Sequence, residues 1–129
     1  MKIFQKHHVV TYHDIDQLKH VNNVRYVQWV QDLAESHWNF KISKSIEEKY
    51  FWVMLKHIIT YKGQAFLGET MCLKTYVKSC EGAISSRMVE IYNKSTNTLI
   101  VTSETQWCLM SRSNNKPVRI PEEIVKLFS

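Results

Sequence analysis

The stretch that most constrains the fold is residues 12–29, which read YHDIDQLKHVNNVRYVQW. It joins an extended, alternating segment to a helical one through a turn that holds two Asp, one His and two Asn within ten residues. Buried polar groups cost free energy unless they are paired or used in chemistry. A chain whose residues are 44% hydrophobic therefore uses this turn either as an elaborate helix cap or as a functional site.

The segments on the two sides of the turn differ in the spacing of their apolar residues. Residues 3–13 alternate and contain several residues that favour strands, so they predict a strand. Residues 22–40 have the period of a helix with a wide apolar face, which predicts a helix largely buried against a sheet. Asn22 or Asn23 is expected to cap this helix, because its side-chain oxygen can accept a hydrogen bond from the first turn.

The rest of the chain predicts a short helix followed by four strands. The short helix is expected at residues 43–50, where Ser45 and Glu48 have the spacing of a capping box. Strands are expected at residues 51–61, 69–79, 83–92 and 99–110, and the first, a continuous hydrophobic run, is expected to be central in the sheet. Short connections indicate antiparallel pairing, and Pro121 is expected to open a terminal helix. The predicted class is α+β, in one domain over residues 1–129.

Composition narrows the classes of function. The net charge of +5 indicates either a solvated basic surface or attraction to a polyanion such as coenzyme A, an acidic carrier protein or nucleic acid. No basic run or basic platform with aromatic rings is present, so no nucleic-acid partner is expected. No apolar window is long enough for a membrane span and no signal-peptide core is visible, so we expect a cytoplasmic protein. Three cysteines without a C-x-x-C pair predict reduced thiols and no metal site.

The polar turn also carries a recognisable order of residues, namely Asp14-x-Asp16-x-x-x-His20-Val21-Asn22-Asn23-x-x-Tyr26-x-x-Trp29. This order resembles the signature of the hotdog-fold thioesterases, the family of 4-hydroxybenzoyl-CoA thioesterase-like acyl-CoA and acyl-ACP thioesterases. The resemblance is closest to the acyl-ACP branch, and several fixed offsets must agree for it to arise. It implies a single hotdog domain, in which a curved antiparallel sheet wraps around one long central helix. It also implies hydrolysis of an acyl-CoA or acyl-ACP thioester in fatty acid metabolism, with no metal or organic cofactor.

Thioester hydrolysis needs a group that attacks or activates water, and donors for the charge that develops on the carbonyl oxygen. Asp16 can act as general base or as nucleophile, and N–H groups at the start of the helix can hold the oxyanion. On the resemblance, Asp16 matches the catalytic Asp, the Asn23 N–H matches the oxyanion donor and His20 matches an active-site His. The structural alternatives are that Asp16 only stabilises the turn and that His20 is only hydrogen-bonded within it. Asp14 is expected to be a structural hydrogen-bonding residue.

Other positions depart from the family pattern. Gln64 stands where the plant acyl-ACP enzymes carry a catalytic Glu, and a carboxamide can position water but cannot take its proton. Ala65 stands where that branch has a Cys, which excludes a cysteine nucleophile there. Leu18 replaces an active-site Asn of the plant enzymes, and Lys19 replaces a Gly that is usual in the small acyl-CoA enzymes.

The resemblance also implies partners. Asn22 and Tyr26 of the motif, with the basic residues Lys62 and Arg87 at a rim for coenzyme A phosphates, are the expected substrate-binding residues. A homodimer or homotetramer with active sites at its interface is expected. Two rival functions remain open from the sequence: a hydratase or dehydratase on the same fold, and a non-catalytic module that binds acyl thioesters.

Overall fold

The polar turn connects one strand to one long helix, as the sequence predicts. In the computed structural model, which describes residues 2–129, strand β1 spans Phe4–Val9 and helix α1 spans Asn23–Lys41. The strand predicted over residues 3–13 ends earlier than expected, and Tyr12–Asp14 forms a 3-10 turn. The chain leaves the extended conformation there because the Asp14 carboxylate turns back and accepts a hydrogen bond of 2.9 Å from the Thr11 N–H.

The remaining elements follow in the predicted order. The short helix α2 and the strands β2 to β5 precede the terminal helix α3, and they span Lys44–Lys49, Tyr50–Tyr61, Thr70–Glu81, Ile84–Asn93, Leu99–Ser111 and Glu122–Phe128. The cap of α2 differs from the prediction. Ser43, not Ser45, is the N-cap, since its hydroxyl accepts the Ile46 N–H at 3.2 Å.

The five strands form one antiparallel sheet in the order β1-β3-β4-β5-β2. The prediction that the first strand after the short helix is central was wrong, because β2 lies at the edge and pairs only with β5. Four of its hydrophobic side chains are exposed, namely Val53, Leu55, Ile58 and Tyr61. A register shift between Met54 and Lys56 leaves Leu55 without a partner on β5, as in a β-bulge.

Helix α1 packs one face against the sheet and leaves the other in solvent. Tyr26, Trp29, Val30 and Leu33 are buried with the inner side chains of β3, β4 and β5 in the main core cluster. A second cluster surrounds α3 and contains Leu109, Ile124 and Phe128. Between the two clusters lies a buried polar group made of His37, Thr75 and Arg87. Within residues 2–129, no helix is both long and apolar enough to cross a membrane.

Candidate functional site

Asp16 lies on an exposed turn that its own carboxylate closes. Oδ1 accepts the Leu18 N–H at 2.9 Å and the His20 N–H at 3.3 Å. The backbone adds a pair of bonds, from the Asp16 N–H to the His20 carbonyl and from the Lys19 N–H to the Asp16 carbonyl. No residue within 2–129 donates a hydrogen bond to Oδ2. The turn therefore fixes one carboxylate oxygen and leaves the other available to water or substrate.

Helix α1 begins four residues after the Asp16 turn closes on Lys19. Asn22 is the N-cap, and its side-chain oxygen accepts the Val24 N–H at 3.0 Å. The Arg25 N–H donates to the Asn22 carbonyl at 2.8 Å. The N–H of Asn23, the first helical residue, donates to no acceptor within the described part of the chain. An unsatisfied N–H at the positive end of the helix dipole suits a developing negative charge.

The loop between β2 and β3, residues 62–69, runs beside this turn. His20 pairs with Phe66 in an isolated antiparallel bridge, and the Val21 N–H donates to the Ala65 carbonyl at 3.1 Å. On the other side, the Ala65 N–H donates to the Tyr26 hydroxyl at 3.0 Å. These bonds hold the loop beside the Asp16 turn. Gln64 belongs to this loop, and its side chain is exposed.

Asp14 is the buried carboxylate of the motif, with 1% of its surface exposed. Oδ2 accepts from the Thr11 N–H and from His8 Nε2, each at 2.9 Å, and Oδ1 accepts from Arg25 Nε at 2.9 Å. Burial opposes ionisation, but the hydrogen bonds from Thr11, His8 and Arg25 outweigh it and hold the pKa of Asp14 below its ordinary value. Both oxygens of Asp14 are therefore bonded to groups of the fold, and its structural role stays a prediction.

His20 and Tyr26 occupy different environments. The His20 ring is partly buried and meets the Phe66 ring edge to face, with 5.1 Å between their centroids. Tyr26 is buried, and burial, the largest influence, raises the pKa of its hydroxyl. Since that hydroxyl accepts the Ala65 N–H, Tyr26 positions the loop, and its contact with substrate stays a prediction.

The two basic residues predicted at a substrate rim lie in different environments in the structure. Lys62 is exposed at the start of the loop. Arg87 is not at a rim, because it points from β4 into the interior, where its Nη1 donates to His37 Nδ1 and Thr75 Oγ1. That part of the prediction was wrong: alternation along β4 places residue 87 on the inner face with Val89 and Ile91.

Sequence reasoning missed the residue that holds the loop, and it did not predict an apolar surface around the turn. Glu69 accepts the Phe66 N–H at 2.7 Å and the Asn93 side-chain amide at 2.8 Å, so it closes the loop. Leu18, Val24 and Phe66 are exposed around the turn. The available signal was Phe66 next to Leu67, since an apolar pair between Gly63 and Gly68 is unusual for a solvated loop. Within residues 2–129, no group of three or more His, Cys, Asp or Glu side chains could hold a metal ion.

Comparison with known proteins adds a family and a fold. Residues 1–128 match the model of the acyl-ACP thioesterase N-terminal domain. A 1,4-dihydroxy-2-naphthoyl-CoA thioesterase from Synechocystis is 14% identical, with a TM-score of 0.84 over 98% of this chain and 95% of that one. An acyl-ACP thioesterase from Bacteroides thetaiotaomicron is 17% identical, with a TM-score of 0.85 over 96% of this chain and 52% of that one. No curated protein matches the sequence.

This chain also matches about half the length of another solved structure. The 12:0-ACP thioesterase from Umbellularia californica is 11% identical, with a TM-score of 0.84 over 98% of this chain and 51% of that one. The chain thus spans about half the length of both acyl-ACP enzymes. The likeness to these structures confirms the predicted hotdog fold.

The bonds of Asp14 predict a dependence of stability on pH. Because its folded pKa lies below its ordinary value of 3.8, the ionised carboxylate stabilises the folded state above that pH. This stabilisation is lost as the pH falls from about 4 through the lower folded pKa. Asp14→Asn should therefore reduce the free energy of unfolding at pH 7 by about 1.5–3 kcal/mol. Denaturant titrations at one protein concentration, from pH 3 to 7, measure the effect.

The control for this experiment is Asp32→Asn, because Asp32 is exposed on α1 and bonded only to Gln28 among the described side chains. It should change the unfolding free energy by less than about 0.5 kcal/mol. A gap between wild type and Asp14→Asn that stays constant down to pH 3 would contradict the assigned role.

Proposed function

The chain belongs to the acyl-ACP thioesterase family and is a thioester hydrolase, and we propose that the turn before α1 carries its catalytic groups. The observation that carries this proposal is that one carboxylate oxygen and one helix N–H near it in sequence both lack hydrogen-bond partners among residues 2–129. Among residues 2–129, nothing donates to Asp16 Oδ2 and nothing accepts the Asn23 N–H, and both groups lie on one short segment. A carbonyl between them would meet a base or nucleophile on one side and an oxyanion donor on the other.

Two chemical routes use this arrangement. As general base, Asp16 removes a proton from a water molecule as its oxygen bonds to the thioester carbonyl carbon, and the C–S bond then breaks to release a protonated thiol and the acid. As nucleophile, Asp16 bonds to the carbonyl carbon and expels the thiolate, and water then hydrolyses the mixed anhydride. In both routes the negative charge on the carbonyl oxygen is held by the Asn23 N–H. His20 and Gln64 are proposed helpers that position water or the carbonyl.

The proposed substrate is an acyl thioester of coenzyme A or of acyl carrier protein. Relatives of both kinds share the fold, one acting on 1,4-dihydroxy-2-naphthoyl-CoA and one named for 12:0-ACP. The net charge of +5 favours either carrier, because the phosphates of coenzyme A and the surface of an acidic carrier are both anionic. Lys19 on the turn and Lys62 on the loop are exposed and free to contact them. The three cysteines are free, which supports a cytoplasmic site of action.

We also propose that the chain works as a homodimer or a pair of dimers, joined along β2. No described strand pairs with the outer edge of β2, and Val53, Leu55, Ile58 and Tyr61 of this strand are exposed. A long hydrophobic edge strand is a template for pairing with another strand, and a second copy would extend the sheet there. Such pairing would also cover the apolar side chains around the turn, so that the active site lies at the interface. Relatives twice as long as this chain support an assembly of two such units.

Replacing the proposed base tests the activity. Asp16→Asn removes the charge but keeps the size of the side chain, so turnover should fall by about 10²–10⁴-fold. Thiol release is measured with short-chain, long-chain and aromatic acyl-CoA substrates and with acyl-ACP.

Asp32→Asn, the matched exposed carboxylate, should retain turnover within about twofold. Turnover that survives Asp16→Asn would contradict the assignment, and a chain that binds these substrates without releasing thiol would be a non-catalytic member of the family.

The dimer is tested on the edge strand. Leu55→Asp and Ile58→Asp each place a carboxylate in the proposed interface, which should weaken association by about tenfold or more. Analytical ultracentrifugation should give a wild-type mass of two or four chains and a shift toward one chain in these variants. Ile3→Asp, at an equally exposed apolar residue outside β2, is the control. A wild type that sediments as a single chain would overturn this assembly.

A further inference from the structure

A cavity lies at the other end of α1 from the Asp16 turn. It has a volume of about 170 Å³ and lies between the second half of α1, the inner face of the sheet and α3. Its apolar lining includes Ala34, Trp38, Trp52, Trp107 and Phe128. Trp38 is fifteen residues along the helix from Asn23, which corresponds to roughly 22 Å at the usual rise of an α-helix. The cavity is therefore separate from the proposed catalytic groups.

A buried cation lines this apolar cavity. Arg87 is 6% exposed, and its Nη1 donates to His37 Nδ1 at 2.9 Å and to Thr75 Oγ1 at 3.0 Å. Its Cζ lies 5.8 Å from the centroid of the Phe128 ring. Within residues 2–129, no carboxylate lies within 4 Å of the guanidinium, since the three ion pairs found there involve Asp14 and Glu104.

Two titratable neighbours of Arg87, His37 and Cys80, are both uncharged at neutral pH. An arginine can only donate, so His37 Nδ1 accepts its hydrogen bond and the ring proton is on Nε2. Burial, with Arg87 and Lys41 nearby, lowers the pKa of His37 to about 4, so the ring is neutral at neutral pH. Its Nε2 has no hydrogen-bond partner within the described residues. Cys80, also in the lining, has a pKa that burial raises, so it too is uncharged at neutral pH.

Arg87 is therefore a desolvated cation that has no counter-ion among the residues the structure describes. A buried charge is costly unless it is paired, whereas a guanidinium offers a planar pair of donors that fits a carboxylate. The surrounding tryptophans provide an apolar environment for a hydrocarbon group next to that carboxylate. The cavity thus combines one anion-binding group with an apolar wall.

We propose that this cavity binds a small apolar carboxylic acid as its anion, with the carboxylate on Arg87 and the hydrocarbon among Trp38, Trp52 and Trp107. Its size supports this class, because an apolar cavity of about 150 Å³ in another protein holds benzene. Benzoate and hexanoate are of matching size. The proposal concerns binding at a site away from Asp16, and it does not depend on the proposed hydrolysis.

One residue at the cavity should oppose binding of the anion. Glu35 is the only carboxylate among the described residues that line the cavity, and it is exposed on α1. Since like charges repel, Glu35→Gln should strengthen binding of benzoate but leave binding of neutral benzamide unchanged. This sign is opposite to that expected for Arg87→Gln, which removes the cation.

The experiment compares each acid with its neutral amide. Three of the four tryptophans line the cavity, so their fluorescence reports occupancy, and calorimetry gives the dissociation constants. Wild type should bind benzoate and hexanoate about tenfold or more tighter than benzamide and hexanamide. Arg87→Gln should remove this preference, and Arg87→Lys should keep part of it. Ala34→Phe, which fills the cavity, should weaken binding of acids and amides alike.

Two further variants distinguish binding in this cavity from binding at the Asp16 turn and from binding to an exposed arginine. Asp16→Asn should leave benzoate binding within about twofold of wild type, and so should Arg119→Gln, which removes an exposed arginine. Wild type that binds acids and amides equally, or binds neither, would overturn the proposal without requiring any variant to fold. Binding that responds to Asp16→Asn but not to Ala34→Phe would place the acid in the catalytic turn and overturn it as well. Neither result bears on thiol release.

Discussion

The buried Asp14 carboxylate is the interaction on which the arrangement of the site depends. It joins His8 at the end of β1, Thr11 in the 3-10 turn and Arg25 on α1. Its backbone carbonyl also accepts the Asn22 N–H at 2.8 Å. Because three elements meet on one side chain, the start of α1 cannot move independently of the sheet. The Asp16 turn lies between two ends that Asp14 holds, so its carboxylate and the Asn23 N–H keep a fixed relation.

The two carboxylates of the motif, Asp14 and Asp16, lie in different environments. Asp14 is buried, and hydrogen bonds occupy both of its oxygens. Asp16 is exposed, and bonds from its own turn occupy only one oxygen. Charge-assisted bonds to a buried carboxylate stabilise the fold, whereas an unoccupied carboxylate oxygen can take part in a reaction. Within three residues, the motif thus holds one carboxylate bonded at both oxygens and one with an oxygen available for the proposed chemistry.

The sequence predicted the helices and strands better than it predicted which strands lie side by side in the sheet. The change from period 2 to period 3.6 around residues 14–22 located β1 and α1, and the short connections predicted the antiparallel pairing that the structure has. The position of β2 was not predictable in the same way, because a hydrophobic run is equally suited to the centre of a sheet and to an edge. Arg87 was misplaced for a related reason: charge favours the surface in general, but strand alternation put this residue on the inner face.

The resemblance identified the turn, and the structure explains one of its departures. Lys19, at a position where the small acyl-CoA enzymes usually have Gly, adopts a φ of 65°. This left-handed conformation favours Gly, so Lys19 holds a backbone geometry here that Gly adopts more readily. The bonds that hold the loop, from the Ala65 N–H to Tyr26 and from the Phe66 N–H to Glu69, join residues far apart or lie in an irregular segment. No periodic pattern in the sequence predicts such contacts.

The central claim is that thioester hydrolysis takes place at the first N–H of α1, and this single donor can be removed. Asn23 is the first residue of the helix, a position that accepts proline, and Asn22 has φ −65° and ψ 136°, which suits a residue before proline. Asn23→Pro deletes the N–H, whereas Asn23→Ala removes only the side chain. The decisive measurement is the kcat for thiol release by these two variants.

The account predicts that Asn23→Ala turns over at close to the wild-type rate and that Asn23→Pro is slower by about 10²–10³-fold. Equal rates for the two variants would contradict it, because the reaction would then not use the Asn23 N–H.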